Sequence, residues 1–157
     1  MKYYLNIGSN LGDRQAVIKQ AIGRLAALGS VEAVSSSIET PAWGFVSQHE
    51  FLNVGLVLES HSEPLALLHA IHSIERGLGS SSHRTPEGGY ADRLVDIDVV
   101  AIDGLTLSTS ELTVPHPHLP EREFYLAPMA QIAPHWQHPT LHLTAAQMLS
   151  ALRRNKG

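Results

Sequence analysis

The sequence of 157 residues contains no cysteine, which excludes disulfides, thiol catalysis and thiolate metal ligands. It also lacks any apolar run of about 18 residues, so no transmembrane helix is expected, and residues 1–6 enter a strand pattern without the apolar segment of a signal peptide. Basic residues are few. The 11 Lys and Arg against 15 Asp and Glu give a net charge of −4, which disfavours binding to nucleic acid or anionic lipid. We therefore expect a cytoplasmic protein that binds neither nucleic acid nor membranes.

Strand and helix patterns alternate along the chain, whose length suits one domain spanning residues 1–157. Alternating or β-branched apolar runs predict strands, and these lie at residues 3–7, 31–38, 51–58 and 93–100. With a helix after the first and third strands, the order β-α-β-β-α-β predicts a ferredoxin-like α+β sandwich, an antiparallel sheet with helices on one face. The other face is then expected to be open to a ligand.

Both helices of this plan show apolar stripes at helical spacing. The residues of the two stripes are Ile18, Ile22, Leu25 and Leu28, then Leu67, Ile71, Ile74 and Leu78. We expect Asn10 to cap the first helix, with Asp13 in its first turn. After the fourth strand, a turn at Asp103–Gly104 and a return strand at 105–107 predict a C-terminal hairpin. Residues 112–120 are too rich in proline for regular structure, and helices are expected at 121–130 and at 144–154, the last capped by Thr144.

The fourth strand carries two carboxylates, Asp96 and Asp98, separated only by Ile97. Residues two apart on a strand point to the same face, which places their Cα atoms roughly 6–7 Å apart. Two like charges on a half-buried surface are unfavourable unless a cation lies between them, and carboxylate oxygens suit Mg²⁺ that also binds substrate phosphates. The pair predicts a metal site for phosphate chemistry, although a D-x-D alone is also typical of a solvated sheet face.

Two long loops and one strand supply further candidate residues. The loop at 39–50 contains Trp43 and Phe45, which favour either a ligand flap or an apolar flap on the core. The Gly- and Ser-rich loop at 77–89 leads into the Asp strand and suits either a lid or a plain linker. On the third strand, Phe51 and Asn53 share the non-core face, where they could stack on and hydrogen-bond a planar ring.

Six segments of the chain, taken together, resemble the 6-hydroxymethyl-7,8-dihydropterin pyrophosphokinase family. They are Ile7–Arg14, Glu39–Pro41, Phe51–Asn53, Arg93–Asp98, Thr113–His116 and Arg122–Phe124. The resemblance implies an ATP-dependent enzyme of folate biosynthesis that transfers pyrophosphate from ATP to the hydroxymethyl group of a reduced pterin. It also implies two Mg²⁺ ions, with ATP and the pterin as small-molecule partners. We expect a monomer or a weak homo-oligomer.

The same resemblance implies roles for individual residues. Asp96 and Asp98 would hold both Mg²⁺ ions, which fits two-metal in-line displacement, and Arg84 and Arg93 would join them in catalysis. The nucleotide and phosphate positions are Glu75, Arg84, Arg93, Thr113, His116 and Arg122. The pterin pocket would be formed by Thr40, Pro41, Trp43, Phe51, Asn53 and Phe124. Within that pocket, Phe51 and Phe124 would sandwich the ring.

The chain departs from the family's usual residues mainly on the ATP side. The departures are His72, Ser80, Tyr90, Ala91, Asp92, Glu111 and Pro117. Lost arginines and added acids would weaken binding of a polyanion, each lost charged contact by about 1.5–3 kcal/mol. Two hypotheses follow: an active pyrophosphokinase with a remodelled ATP loop, or a paralogue that binds pterin without transfer.

The sequence has 10 histidines. His116 and His118 have metal-like spacing, but the prolines that follow and precede them fix a turn. His135, His138 and His142 have no carboxylate or thiol neighbours in sequence, so we expect surface residues and no zinc site.

Overall fold

A computed structural model of the protein describes residues 1–40, 51–79 and 95–156. The strands are β1 (Lys2–Ser9), β2 (Ser30–Val34), β3 (Ile38–Thr40), β4 (Phe51–Glu59), β5 (Asp96–Ile102), β6 (Leu107–Ser108) and β7 (Thr113–Val114). The helices are α1 (Arg14–Leu25), α2 (Pro64–Gly77), α3 (Glu123–Ile132) and α4 (Ala145–Lys156), with a 3-10 helix at Leu119–Glu121. Within the described part of the chain, every helix is too short or too polar to cross a bilayer.

The main sheet is antiparallel, in the order β2-β4-β1-β5, and β3 also pairs with β4. Strand β1 is central because it pairs with β4 along its whole length and with β5 from Tyr3 to Gly8. If β2 and β3 are counted as one interrupted strand, this is the ferredoxin-like order. The predicted fold class is confirmed, and β5, which carries the two acids, lies at an edge of the sheet.

The single strand predicted at 31–38 is instead two short strands. The backbone N–H of Ser35 donates to the Gly55 carbonyl at 2.9 Å, and Ser35 Oγ accepts from the Gly55 N–H at 2.8 Å. A hydroxyl therefore replaces one backbone acceptor of the ladder, and the regular pairing stops at Val34 and resumes at Ile38.

Helices α1 and α2 cover one face of the sheet, as predicted. Their apolar stripes meet alternate residues of β1, β4 and β5 in one cluster, which includes Leu25, Ile71, Ile7, Leu56 and Ile97. The cap of α1 was predicted wrongly. Asp13 is the N-cap, and its side chain accepts from the Ala16 N–H at 3.1 Å. Gly12 has φ +68° and turns the chain just before it, while Asn10 is buried.

The opposite face was predicted to be open to a ligand, but α3 and α4 cover part of it. A second apolar cluster there includes Tyr4, Val57, Val100, Leu126 and Met148. Gly55 lets α3 approach closely, since a Cβ at this position would lie 2.7 Å from Pro128 Cβ. The sandwich therefore has helices on both faces, and on the second face Asp96 and Asp98 are half-buried.

The predicted turn at Asp103–Gly104 is present, and Ile102 pairs with Leu105 across it in a single antiparallel bridge. The return strand is β6, at Leu107–Ser108 instead of 105–107, and it pairs with β7 through Leu107 and Val114. Residues 113–114 are therefore regular despite the nearby prolines. Helix α3 begins and ends two residues later than predicted. The Thr144 cap of α4 is confirmed: Thr144 Oγ1 accepts from the Gln147 N–H at 3.2 Å, and Gln147 Oε1 accepts from the Thr144 N–H at 2.8 Å.

The close approach at Gly55 gives a stability prediction. In Gly55→Ala the new methyl would meet Pro128 Cβ at 2.7 Å and Ile132 Cδ1 at 3.2 Å, and a proline ring cannot turn aside. We expect a loss of about 1–3 kcal/mol of unfolding free energy, which lowers Tm by about 2–4 °C per kcal/mol in calorimetry.

Gly23→Ala is the matched control, because nothing lies within 4 Å of a Cβ at Gly23 in α1. It should leave Tm unchanged or raise it, since alanine favours helix. Equal Tm values for the two variants would show that α3 does not pack on β4 as described.

Candidate active site

Asp96 and Asp98 lie on one face of β5, as the two-residue spacing predicted. Both are half-buried, whereas Ile97 and Val99 are buried in the apolar cluster on the opposite face. On the neighbouring strand, Gly8 is paired with Asp96 and Asn6 with Asp98. The register partner of Asp96 is thus a glycine, whereas that of Asp98 is an amide.

The donor set of this pair fits Mg²⁺. Among the described residues, no group of three or more His, Cys, Asp or Glu side chains could hold a metal ion together. A cation at Asp96 and Asp98 would therefore need ligands besides a cluster of protein side chains. This suits Mg²⁺, because it keeps bound waters and binds substrate phosphates. A closed tetrahedral zinc site would need more nitrogen or sulfur ligands.

A buried tyrosine connects Asp98 to an arginine. The Tyr125 hydroxyl donates to Asp98 Oδ2 at 2.6 Å, and Arg122 Nη1 donates to the same hydroxyl at 2.8 Å. Burial, with the Asp98 charge as the next cause, raises the pKa of Tyr125 well above its ordinary value. The hydroxyl therefore stays protonated and keeps its role as donor to the carboxylate.

Arg122 and His116 flank this tyrosine. The Arg122 guanidinium lies 5.2 Å from the centroid of the Tyr125 ring and 5.6 Å from that of Phe124, and the His116 ring meets Tyr125 edge-on at 5.1 Å. Burial, then the positive charge of Arg122, lowers the pKa of His116 to about 4. His116 is neutral at pH 7, and its Nδ1 accepts from the His118 N–H at 3.1 Å, which leaves Nε2–H as a donor.

Glu75 supports the Asp strand from α2. Its Oε2 accepts from the backbone N–H of Ile97 at 2.8 Å. Because β5 is an edge strand, this carboxylate takes the place of a neighbouring strand between the two acids.

Gly8 lies between the amide of Asn53 and the ring of Phe51. A Cβ at Gly8 would lie 3.0 Å from Asn53 Oδ1 and 3.4 Å from Phe51 Cδ1, so glycine adds no side chain of its own to the surface beside these two groups, which we name the ring slot. Asn53 is paired with Gly8 on β4, and Gly8 with Asp96 on β5. Asn53, a predicted ring-binding residue, and Asp96, a predicted metal ligand, thus lie in one row on either side of Gly8.

The other predicted pterin and nucleotide residues are less completely placed. Phe124 lies in the first turn of α3, where its ring centroid is 4.9 Å from that of Tyr125, and Thr40 ends β3 opposite Phe51. Thr113 is exposed on β7, where Oγ1 donates to the Thr109 carbonyl at 3.5 Å. The remaining predictions, Pro41, Trp43, Arg84 and Arg93, lie outside the described residues.

Three residues of this region were missed by sequence analysis. Asn6 Nδ2 donates to the Phe124 carbonyl at 2.7 Å and so connects β1 to the start of α3. The sequence signal for Asn6 was an amide inside an apolar strand. For Gly8 the signal was weaker, a glycine within one of the family-like segments. For Tyr125 it was an aromatic residue next to Phe124.

Three of the departures from the family pattern can be located. Glu111 is exposed and its Oε2 lies 2.9 Å from His69 Nε2. His72 and Pro117 are exposed. Ser80, Tyr90, Ala91 and Asp92 lie outside the described residues. Of the other histidines, His135 and His142 are exposed, whereas His138 is partly buried, its Nδ1 accepting from the N–H of Thr140.

The chain is similar to known proteins over most of its length. A sequence model described as 7,8-dihydro-6-hydroxymethylpterin-pyrophosphokinase matches residues 4–134. A 2-amino-4-hydroxy-6-hydroxymethyldihydropteridine pyrophosphokinase of Porphyromonas gingivalis is 38% identical over 138 residues, which are 87% of this chain and 92% of that protein. Its counterpart in Methylorubrum extorquens is 39% identical over 133 residues, 83% of this chain and 82% of that protein.

The fold is also that of solved structures. The crystal structure of Plasmodium falciparum HPPK-DHPS with pteroate superposes with a TM-score of 0.73 at 16% identity, over 96% of this chain and 42% of that longer one. Another HPPK-DHPS structure, in complex with substrates, gives a TM-score of 0.71 at 14% identity, over 99% of this chain and 44% of the other. With sequence and fold in agreement, the chain belongs to the 7,8-dihydro-6-hydroxymethylpterin-pyrophosphokinase family.

Proposed function

We propose that this chain catalyses the reaction for which its relatives are named, the transfer of pyrophosphate from ATP to 6-hydroxymethyl-7,8-dihydropterin in folate biosynthesis. One observation carries the proposal: Asn53, Gly8 and Asp96 form a row across β4, β1 and β5. This row sets the amide proposed to bind the pterin ring one strand away from a carboxylate pair suited to Mg²⁺. A transfer between a ring substituent and a metal-bound polyphosphate needs that adjacency.

The reaction itself is a displacement at phosphorus. The hydroxymethyl oxygen of the pterin attacks the β-phosphorus of ATP, the bond from that phosphorus to the oxygen bridging to the α-phosphorus breaks, and AMP leaves. The hydroxyl proton is lost and the pyrophosphoryl group ends on the pterin oxygen. The protein contributes mainly position and charge, as in other phosphoryl transfers.

We assign Asp96 and Asp98 as the ligands of two Mg²⁺ ions. When bound, such ions neutralise phosphate charge and align the attacking and leaving oxygens. The residues themselves prepare the site: Tyr125 holds Asp98 Oδ2, and Glu75 holds the backbone between the two acids. The number of ions follows from family resemblance and is part of the proposal.

On the nucleotide side, we assign Arg122 and His116 to the phosphates. Arg122 supplies a fixed positive charge, and neutral His116 supplies a hydrogen-bond donor without adding charge. Arg84, Arg93 and Thr113 are assigned to the same side by their position in the family pattern, with the two arginines in catalytic roles. Glu75 is assigned to the nucleotide side through its hydrogen bond to the backbone of β5.

On the pterin side, we assign the ring slot to Phe51 and Phe124 as stacking partners and to Asn53 as the polar contact. Asn53 is buried, and its Oδ1 lies 3.0 Å from the place of a Cβ at Gly8, so its amide is next to the proposed ring slot. Thr40, Pro41 and Trp43 complete the pocket in this assignment.

The second hypothesis, a paralogue that binds pterin without transfer, has no observation in its favour. Glu111, one of the departures that suggested it, is an exposed residue beside His69 and on the surface its charge is screened. Three other expectations also stay predictions. They are the single domain spanning 1–157, the monomeric or weakly oligomeric state and the cytoplasmic location.

The metal assignment predicts a specific loss of transfer. The unaltered protein should form AMP from ATP only when both the dihydropterin and Mg²⁺ are present. Asp96→Asn and Asp98→Asn keep the side-chain shape but remove the charge that binds a cation, so we expect AMP formation to fall by about 10²–10³-fold. Pterin binding measured by calorimetry should stay within about twofold, because the ring slot is unchanged.

Asp103→Asn serves as the control, since Asp103 is an exposed aspartate in the turn after β5. It should leave AMP formation unchanged. Near-normal turnover by Asp98→Asn would refute the metal assignment, and absence of AMP formation by the unaltered protein would refute the proposed reaction.

The pterin slot predicts a different pattern for Gly8→Ala. The added methyl would lie 3.0 Å from Asn53 Oδ1 and 3.4 Å from the Phe51 ring, in space assigned to the substrate. We expect the KM for the pterin to rise about tenfold or more, with the KM for ATP within about twofold. Gly23→Ala is the control, and a pterin KM that does not change in Gly8→Ala would place the ring elsewhere.

A further inference from the structure

We propose that Tyr125 is a positioning residue that joins Asp98 and Arg122 into one unit and thereby sets the affinity of the site for its divalent cations. The proposal rests on the proposed function, because it takes Asp98 as a cation ligand. No role was expected for this tyrosine from the sequence. Its hydroxyl contacts both the acid and the arginine.

The direction of the two hydrogen bonds is fixed by chemistry. A guanidinium has only donors and an ionised carboxylate only acceptors. A hydroxyl with one proton can therefore bridge Arg122 and Asp98 in a single way, accepting from Nη1 at 2.8 Å and donating to Oδ2 at 2.6 Å. The bridge has no alternative arrangement, so it holds the carboxylate in one orientation.

The position of the hydroxyl is set by the core rather than by a ligand. Tyr125 is 1% exposed and packs in the second apolar cluster with Leu126 and Met129 of the same helix. Asn6 fixes the first turn of that helix by donating to the Phe124 carbonyl at 2.7 Å. Packing and hydrogen bonds thus place the hydroxyl before any substrate arrives, which is how supporting residues orient metal ligands.

The bridge also keeps two opposite charges apart. Without the hydroxyl, Arg122 would be close enough to approach Asp98 and form a direct ion pair, which would compete with a cation for the same carboxylate. With the hydroxyl in place, Asp98 receives a neutral donor while Arg122 keeps its charge for the nucleotide. Loss of orientation and gain of a competing charge act in the same direction, and both weaken cation binding.

Tyr125→Phe tests the proposal, because it keeps the ring in the apolar cluster and removes only the hydroxyl. The probe is Mg²⁺ titrated calorimetrically into protein with an ATP analogue that carries a methylene between its α- and β-phosphorus atoms and cannot react. We expect about tenfold weaker Mg²⁺ affinity, with pterin affinity within about twofold. The control is Tyr4→Phe, since Tyr4 belongs to the same cluster and lies outside the site.

A second comparison separates positioning from packing. In an Arg122→Gln background the competing charge is gone, so Tyr125→Phe should cost less Mg²⁺ affinity than it does in the unaltered protein. Unchanged Mg²⁺ affinity in Tyr125→Phe, an equal loss in Tyr4→Phe, or the same cost in both backgrounds would each overturn the proposal. These outcomes leave the proposed function standing if the unaltered protein still forms AMP, whereas a protein that binds no Mg²⁺ with the analogue would refute both.

Discussion

Two carboxylates held on one face of an edge strand are the constraint on which the rest of this structure depends. Their mutual repulsion is unfavourable in a half-buried place, so the fold must supply rigidity around them. Rigidity comes from three sides: β1 pairs with β5, Glu75 binds the Ile97 N–H, and Tyr125 binds Asp98. In the proposed function, the site is therefore built before a cation neutralises it, as expected where catalysis depends on positioned charge.

The same constraint explains why the sheet is covered unevenly. One face is fully packed by α1 and α2, which makes the strands stiff. On the other face, α3 and α4 cover only part of the sheet, and α3 begins next to the acids because Asn6 holds its first turn. Helix α3 thus both completes the core and brings Phe124 and Tyr125 to the site. Without α3 on this face, Asp98 would lack the hydrogen bond from the Tyr125 hydroxyl.

Local patterns predicted what depends on local geometry. The two-residue period placed Asp96 and Asp98 together, and the apolar stripes located α1 and α2, because strand and helix periods are fixed by backbone geometry. The predicted cap of α1 was wrong because asparagine and aspartate are both good N-cap residues. The turn at Gly12 makes Asp13, and not Asn10, the residue that precedes the helix.

Contacts between distant parts of the chain could not be predicted in the same way. The packing of α3 on β4 depends on Gly55 meeting Pro128, 73 residues later, and nothing local signals that pair. The bridge from Arg122 through Tyr125 to Asp98 likewise joins α3 to β5. Family resemblance identified Asp96, Asp98, Asn53 and Phe124 as a group but not Tyr125, whose role appears only when the helix is placed on the sheet.

The most direct test of the account is a crystal structure of the protein with Mg²⁺, the dihydropterin and the unreactive ATP analogue. The account predicts cation density bonded to carboxylate oxygens of both Asp96 and Asp98 and to phosphate oxygens, with the pterin ring beside Gly8 and Asn53. Cations bound to the phosphates but not to these carboxylates, or a ring bound away from Gly8, would contradict it.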